Sequence, residues 1–166
     1  MELLAASGGT TLTGSGTVLS VPLEDRSHDM VRSALAHPDQ ERITLDVEGM
    51  EADANPGVVY QVFLNPHADS DPAGGEEYAN HFVGTLSFFG ANHPLSESDP
   101  HGGPPGRRRS FDVTDLVHQL QREGQWDPAH LRVALVPIGL IPPEGAQPTT
   151  PSHAPARIAR VALYHH

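Results

Sequence analysis

The sequence predicts a mainly β fold class: an antiparallel β-sandwich, jelly-roll-like in character, with one short α-helix near residues 113–123. Several short segments alternate apolar and polar side chains, which is typical of strands with one buried face. Glycine and proline are abundant, with 16 of each in 166 residues, and this composition suits short strands joined by long loops. The strand–helix–strand alternation that would indicate a parallel sheet is not visible.

The predicted strands rest on period-two alternation. In residues 41–50, Ile43, Leu45 and Val47 share one face, and charged or hydroxyl residues occupy the other. A proline at position 22 places the first strand near a sheet edge, because proline cannot donate to a strand ladder. The predicted strands are residues 17–23, 41–50, 58–65, 81–90, 130–138 and 157–166.

The predicted helix follows a polar turn near the middle of the chain. Its apolar residues recur at i, i+3, i+4 and i+7, which makes one stripe of a short helix: Val113, Leu116, Val117 and Leu120. Asp112 is the expected cap at the start of this helix, and Gly124 is the expected end. Residues 24–40 are polar and mixed, and no element is predicted there.

The chain is predicted to be one domain with a short lead-in. Residues 1–10 contain the flexible run Ser-Gly-Gly and are interpreted as a linker remnant. Residues 11–166 are long enough to bury a core, and they form the single predicted β-sandwich domain. Three stretches rich in proline, glycine and polar residues are predicted to be loops: 66–75, and the two longer ones at 91–106 and 141–155.

Composition and charge exclude several classes of function. The formal net charge is −11, which disfavours binding to nucleic acid or to an anionic membrane. The chain has no cysteine, so disulfides, thiolate catalysis and cysteine metal sites are excluded. It has neither a signal peptide nor an apolar run of membrane-spanning length. We therefore expect a soluble protein, for which the compartment is not encoded and the cytoplasm is slightly favoured.

The order of the segments resembles a known domain. Val-Tyr-Gln-Val-Phe-Leu-Asn is followed by His-Phe-Val-Gly-Thr-Leu-Ser-Phe-Phe-Gly, then by Phe-Asp-Val-Thr-Asp-Leu-Val, Leu-Arg-Val-Ala-Leu-Val-Pro and a final strand. From about Leu12 to Tyr164, this succession resembles the C-terminal domain of tyrosinases and plant-type polyphenol oxidases, named for a Lys-Phe-Asp-Val signature. Ser110 stands where the plant proteins carry the lysine. The residues that carry the resemblance are Gly84, Phe111, Asp112 and Val113.

The resemblance implies a function. Domains of this family pack over a separate catalytic domain, where six histidines hold two coppers, and they insert a side chain as a placeholder for substrate. The enzyme then stays latent until this cover is removed. The resemblance therefore implies that the chain is a non-catalytic shielding domain with no cofactor of its own. Its implied partner is a tyrosinase-type dicopper catalytic domain, in cis or in trans.

Two alternatives remain open at this stage. The first is a free-standing binding module, or a chaperone that delivers copper to an apo-oxidase in trans. The second is an unrelated enzyme built on a sandwich, since a fold does not determine an activity. The serines lie in no Gly-x-Ser-x-Gly motif and the acidic pairs lie in loops, so no catalytic residue is predicted.

The candidate site residues each have a structural and a functional interpretation. Phe111, Asp112 and Val113 are predicted to be structural, with the ring in the core and the aspartate capping the helix. The three arginines before them form either a solvated shoulder or a docking patch, the docking candidates being Arg107, Arg108 and Arg109. The placeholder candidates, which could equally be buried core residues, are Phe88 and Phe89. The weak metal candidates, on one loop without ligand spacing, are His93 and His101.

Overall fold

The computed structural model shows two antiparallel β-sheets packed face to face, with two α-helices beside them. It describes residues 1–12, 16–37, 39–52, 58–66, 79–88, 107–139 and 156–166. The predicted fold class, a mainly β sandwich with a short helix, is confirmed. Apart from residue 66, the predicted loops at 66–75, 91–106 and 141–155 lie outside these ranges.

The larger sheet is organised around one long strand, β4. In this sheet β9 and β10 follow one another along one side of β4, while β7 pairs with its other side. The successive strands β1 and β2 then line β10 and β9, and every pairing is antiparallel. The strands of this sheet are β1 (Glu2–Ser7), β2 (Thr10–Leu12), β4 (Ile43–Ala52), β7 (Arg107–Asp112), β9 (Ala156–Ile158) and β10 (Arg160–His165).

The smaller sheet has four strands in the order β3-β8-β5-β6, all antiparallel. Its strands are β3 (Thr17–Ser20), β5 (Val58–Leu64), β6 (Phe82–Ser87) and β8 (Arg132–Gly139). After β3 the chain leaves the ladder but remains held by the backbone bonds from Val21 N to Leu131 O (2.8 Å) and from Leu23 N to Pro128 O (2.9 Å). Residues 128–130 form a short 3₁₀ turn just before β8.

The core lies between the two sheets, where the alternation of the sequence predicts it. Burying one large apolar side chain stabilises the fold by about 1.5–3 kcal/mol relative to leaving it exposed. The larger sheet contributes Ile43, Leu45, Val47, Val161 and Leu163 to the core, and the smaller sheet contributes Val62, Leu64, Leu86, Val133 and Leu135.

The predicted helix is observed as α2 (Thr114–Arg122). Val117 and Leu120 of its stripe are fully buried, and Leu116 packs against the core at its edge. Gly124 adopts φ 70°, and the N–H groups of Gly124 and Gln125 donate to the carbonyls of Gln121 (3.2 Å) and Leu120 (2.8 Å). This is a Schellman motif, so the predicted helix end is confirmed together with its physical reason.

A second helix, α1 (Asp25–Ala36), corrects the expectation that residues 24–40 contain no element. Its stripe of Ser27, Val31, Ala34 and Leu35 is buried. The Ser27 hydroxyl donates to the Leu4 carbonyl at 2.9 Å, which joins the helix to β1. The stripe was missed because a serine and an alanine occupy two of its four positions. Neither α-helix of the described ranges is long and apolar enough to cross a membrane.

The interpretation of residues 1–10 as a linker remnant is wrong for most of that segment. Residues 2–7 form β1, which pairs with β10 from Glu2 opposite His165 to Ser7 opposite Val161. Leu4 and Ala5 are buried in the core. The segment is thus an integral strand, and its glycines form the junction between β1 and β2.

Candidate functional site

The signature segment joins the two sheets and starts α2. Phe111 lies opposite Leu45 of β4, and its ring rests on Gly84 of β6 in the other sheet. A Cβ atom at Gly84 would lie only 2.5 Å from Phe111 Cε1, so this close approach requires glycine. Phe111 was predicted to place its ring in the core; the ring is only partly buried and packs against the core, with Gly84 as the surface on which it rests.

Asp112 and Val113 connect β7 to α2. Asp112 Oδ1 accepts hydrogen bonds from the Thr114 N–H (3.0 Å) and the Thr114 hydroxyl (2.7 Å), as an aspartate does in a turn that starts a helix. Val113 is buried, and its N–H donates to the Ile43 carbonyl at 2.9 Å. The prediction that Asp112 is the N-cap residue is corrected: Val113 occupies the N-cap position without a side-chain cap, and Asp112, one residue earlier, accepts the first N–H of the helix.

Two carboxylates are buried on the face of the larger sheet that points away from the core. Asp46 is 0% exposed and Glu48 is 2% exposed, although both alternate with the apolar residues of β4. Arg108 donates to Asp46 Oδ2, and the Ser110 hydroxyl donates to Asp46 Oδ1 at 2.5 Å. Desolvation disfavours the charge of Arg108, but its hydrogen bond with Asp46 and the charges around it still raise the pKa of the guanidinium.

Glu48 is held by a second arginine and a tyrosine. Arg160 Nε donates to Glu48 Oε2 at 2.8 Å, and the Tyr164 hydroxyl donates to Glu48 Oε1 at 2.8 Å. Burial, reinforced by this hydrogen bond to Glu48, raises the pKa of Tyr164 to about 12. The guanidinium carbon of Arg108 lies 5.4 Å from the centre of the Tyr164 ring and so links the two pairs.

We call this set the paired-charge face: Asp46, Glu48, Arg108, Ser110, Arg160 and Tyr164. Each of its carboxylates is bound to an arginine, so neither is poised to accept a proton from a substrate. The side chains of Arg108 and Arg160 remain 26% and 30% exposed. The face therefore offers partly exposed guanidinium groups on a rigid sheet, which suits recognition better than proton transfer.

The paired-charge face was not predicted from the sequence. Part of its signal was present: acidic residues alternate with apolar ones in residues 43–48, and Arg160 lies in the last predicted strand, whereas residues 107–112 were not predicted as a strand. What the sequence lacked was the pairing of strands. Arg108 is 62 residues from Asp46, and Arg160 is 112 residues from Glu48.

The placeholder prediction fails for Phe88. The side chain is only 1% exposed and meets Tyr60 edge to face, with ring centres 5.6 Å apart in the core. A ring buried in this way cannot enter a partner's pocket without unpacking the sandwich. Phe89, the other candidate, lies outside the described residues.

The three docking candidates have three different environments. They belong to β7, which leads into α2, and their interpretation as a solvated shoulder fits Arg109 but not Arg108, which is bound to a buried carboxylate. Arg107 is half-buried, and Arg108 binds Asp46 as described above. Arg109 is exposed, and its guanidinium carbon lies 5.5 Å from the centre of the Phe111 ring. A docking role for these arginines stays a prediction.

The metal candidates His93 and His101 lie outside the described residues. Within the part of the chain that the structure describes, no three histidine, aspartate or glutamate side chains are grouped to hold a metal ion. His165 Nε2 instead hydrogen-bonds to Glu41 at 2.9 Å, and His166 Nε2 to the Thr44 hydroxyl at 3.1 Å. These contacts attach the end of β10 to its neighbours.

Comparison with solved structures identifies similar folds. The chain is similar to part of latent apple tyrosinase, with a TM-score of 0.50 and 19% identity over 95% of this chain and 27% of that protein. It is also similar to part of a recombinantly expressed latent aurone synthase, a polyphenol oxidase, with a TM-score of 0.51 and 14% identity over 94% of this chain and 25% of that protein. The chain thus spans about a quarter of these enzymes, and identities this low show a shared fold.

Comparison with protein families gives a direct assignment. A search of curated protein sequences finds no match. The model of one family, described as a domain of unknown function (DUF7868), matches residues 1–166. Because this match covers the whole sequence, the chain belongs to the DUF7868 family.

Proposed function

We propose that the chain is a non-catalytic shielding domain of a type-3 copper tyrosinase or polyphenol oxidase. In this role it covers the dicopper site of a tyrosinase-type catalytic domain and keeps that enzyme latent. The observation that carries the proposal is the extent of the structural match. Almost the whole chain, 95%, matches only 27% of an enzyme whose structure is named as latent. The chain therefore corresponds in fold to one part of such an enzyme.

The architecture supports a steric role. The core between the sheets is continuous, and Phe111 on Gly84 connects β7 to β6, so the sandwich can present a surface without deforming. When a cover of this kind is tethered to its partner, modest contacts hold it closed because the effective concentration is high. The copper ions belong to the partner in this proposal, and no step of their chemistry is assigned to residues of this chain.

The chemistry of the described residues agrees with a role in recognition. On the paired-charge face, both carboxylates are neutralised by arginines, and the guanidinium groups are the partly exposed components. Arg109 extends the same strand as an exposed cation. We therefore place the contact with the catalytic domain at β7, where acidic groups of the partner would be recognised.

The proposal is tested by measuring diphenol oxidation by a tyrosinase-type catalytic domain that lacks its own cover. Adding the 166-residue chain, or fusing it through a flexible linker, should reduce turnover, and the fusion should act more strongly. Excess diphenol should relieve the inhibition, because cover and substrate compete for one entrance. The control is serum albumin at the same concentration, which should leave diphenol turnover unchanged.

Two outcomes would reject shielding. Turnover that is unaffected by both the mixture and the fusion would show that the chain does not cover the site. Activation of a copper-free catalytic domain by the copper-loaded chain would instead support a chaperone acting in trans.

A further inference from the structure

A cavity of about 150 Å³ lies between α1 and the segment that follows α2. None of its lining residues belongs to the β7 strand that the proposed function uses. Its walls are mostly apolar, and three polar side chains reach it, His28 and Arg32 from α1 and Gln121 from α2. The lining residues that matter here are Leu23, His28, Val31, Arg32, Leu35 and Trp126.

The size of the cavity selects a ligand of one ring. An apolar protein cavity of roughly 150 Å³ holds a molecule the size of benzene. Val31 and Leu35 are buried in the helix stripe and form a fixed wall. Trp126 is partly buried against the core and supplies an aromatic surface, which favours a flat ring in offset or edge contact.

The polar lining selects the functional group on that ring. His28 Nε2 is buried and has no hydrogen-bond partner among the described residues. A hydroxyl group both donates and accepts, so it pairs with Nε2 in either imidazole tautomer. The charge of Arg32 does not call for an anion, because its guanidinium already binds Asp29 at 3.3 Å in an exposed pair. A neutral phenol therefore fits this lining better than an aromatic acid.

We propose that this cavity binds a small single-ring phenol, with the hydroxyl on His28 Nε2 and the ring against Trp126. The site is formed by this chain alone, so it stands whether or not the chain shields an oxidase. It would make the sandwich a sensor for phenols as well as a structural module.

Trp126 provides the reporter, because it is the single tryptophan of the chain. The indole N–H resonance of the ¹⁵N-labelled 166-residue protein is followed while phenol or toluene is added. The two ligands have similar shapes, but phenol carries a hydroxyl group where toluene carries a methyl group. We expect saturable binding of phenol below about 10 mM and a preference over toluene of about tenfold, as one hydrogen bond would give.

Two variants assign the preference to His28. His28→Leu should abolish the preference for phenol, while His37→Leu, an exposed histidine beyond the end of α1, should keep it. Equal preference in His28→Leu and in the wild type would overturn the proposal. So would equal binding of phenol and toluene, or no saturable shift, in the wild-type protein, and this comparison requires no variant to fold.

Discussion

Gly84 and Phe111 show at the scale of single residues why the signature segment is structural. The ring covers a glycine on the opposite sheet, and a side chain at that position would occupy the space of the ring. The contact ties β6 to β7 across the sandwich. A residue pair that looks like a family marker in the sequence is thus a packing requirement in the fold.

Gly84→Ala is expected to destabilise the protein by about 1–3 kcal/mol, the usual cost of forcing extra volume into a packed site. The new Cβ would lie 2.5 Å from Phe111 Cε1 and 2.7 Å from Cδ1, so the ring must move. The free energy of unfolding in urea measures the effect. Gly8→Ala is the matched control, because no atom lies within 4 Å of its added Cβ. Equal stability of the two variants would contradict the packing argument.

Arg108→Met is expected to destabilise the protein near the lower end of roughly 3–5 kcal/mol, the cost of breaking a buried ion pair. Asp46 would remain buried without its cation, while the partial exposure of Arg108 moderates the loss. Urea unfolding measures it, and Arg109→Met on the same strand is the control.

The double variant Asp46→Leu/Arg108→Met separates a buried charge from lost packing. It should recover part of the stability lost in Arg108→Met, because neither charge is then left alone. A double variant that is less stable than Arg108→Met would contradict the buried-charge argument, because it would show that Asp46 stabilises the fold through Ser110 even without its arginine.

At the scale of elements, Glu41 connects α1 to the last strand. Glu41 Oε1 accepts from the Ser33 hydroxyl at 3.2 Å, and Oε2 hydrogen-bonds to His165 Nε2 at 2.9 Å. The hydrogen bond with His165 is the main cause that lowers the pKa of Glu41 below 4.5. The short segment between α1 and β4 is therefore held by a titratable contact.

This contact predicts a dependence of stability on pH. A carboxylate whose pKa is lower in the folded state stabilises the fold above its unfolded pKa, and the contribution is lost as the pH falls through its folded pKa. The loss of stability in Glu41→Gln should thus be largest above pH 4.5 and shrink as the pH falls below that value. Urea unfolding at a series of pH values measures it. In a His165→Leu background the pH dependence should weaken, and a difference independent of pH would refute this linkage.

At the scale of the whole molecule, arginines lie on strands at both sides of β4 in the larger sheet, although the net charge is −11. Three lie in β7 and Arg160 lies in β10. A partner that binds at β7 would interact with the charge of its three arginines. Arg109 is the exposed one, so it can be changed without breaking a buried ion pair.

Arg109→Glu is expected to weaken inhibition of the catalytic domain several-fold, because reversing a charge at the rim of an interface mainly slows association. Arg26→Glu makes the same change of charge on α1, where the side chain is 81% exposed, and should leave inhibition unchanged. Inhibition constants from diphenol turnover at low and high salt measure both. Equal effects of the two variants would remove β7 from the docking surface.

The sequence by itself determined most strands of the core, though not β1, and the position of α2. Period-two alternation placed Ile43, Leu45 and Val47 on one buried face, and the stripe before Gly124 predicted a helix with its end. These features are local, since each follows from a pattern among residues that are close together in the sequence. α1 was not predicted because a serine and an alanine in its buried stripe weaken the apolar pattern.

Only the tertiary structure decided which polar residues are buried and what they bind. Alternation put Asp46 and Glu48 on the outward face of β4, where solvent is the usual neighbour. Strands from distant parts of the chain instead bring arginines and Tyr164 over them. The same is true of Phe88, which alternation allowed to point either way and which the second sheet covers. The burial of a side chain depends on which other segment packs over its face of the sheet. Alternation along one strand does not reveal that segment.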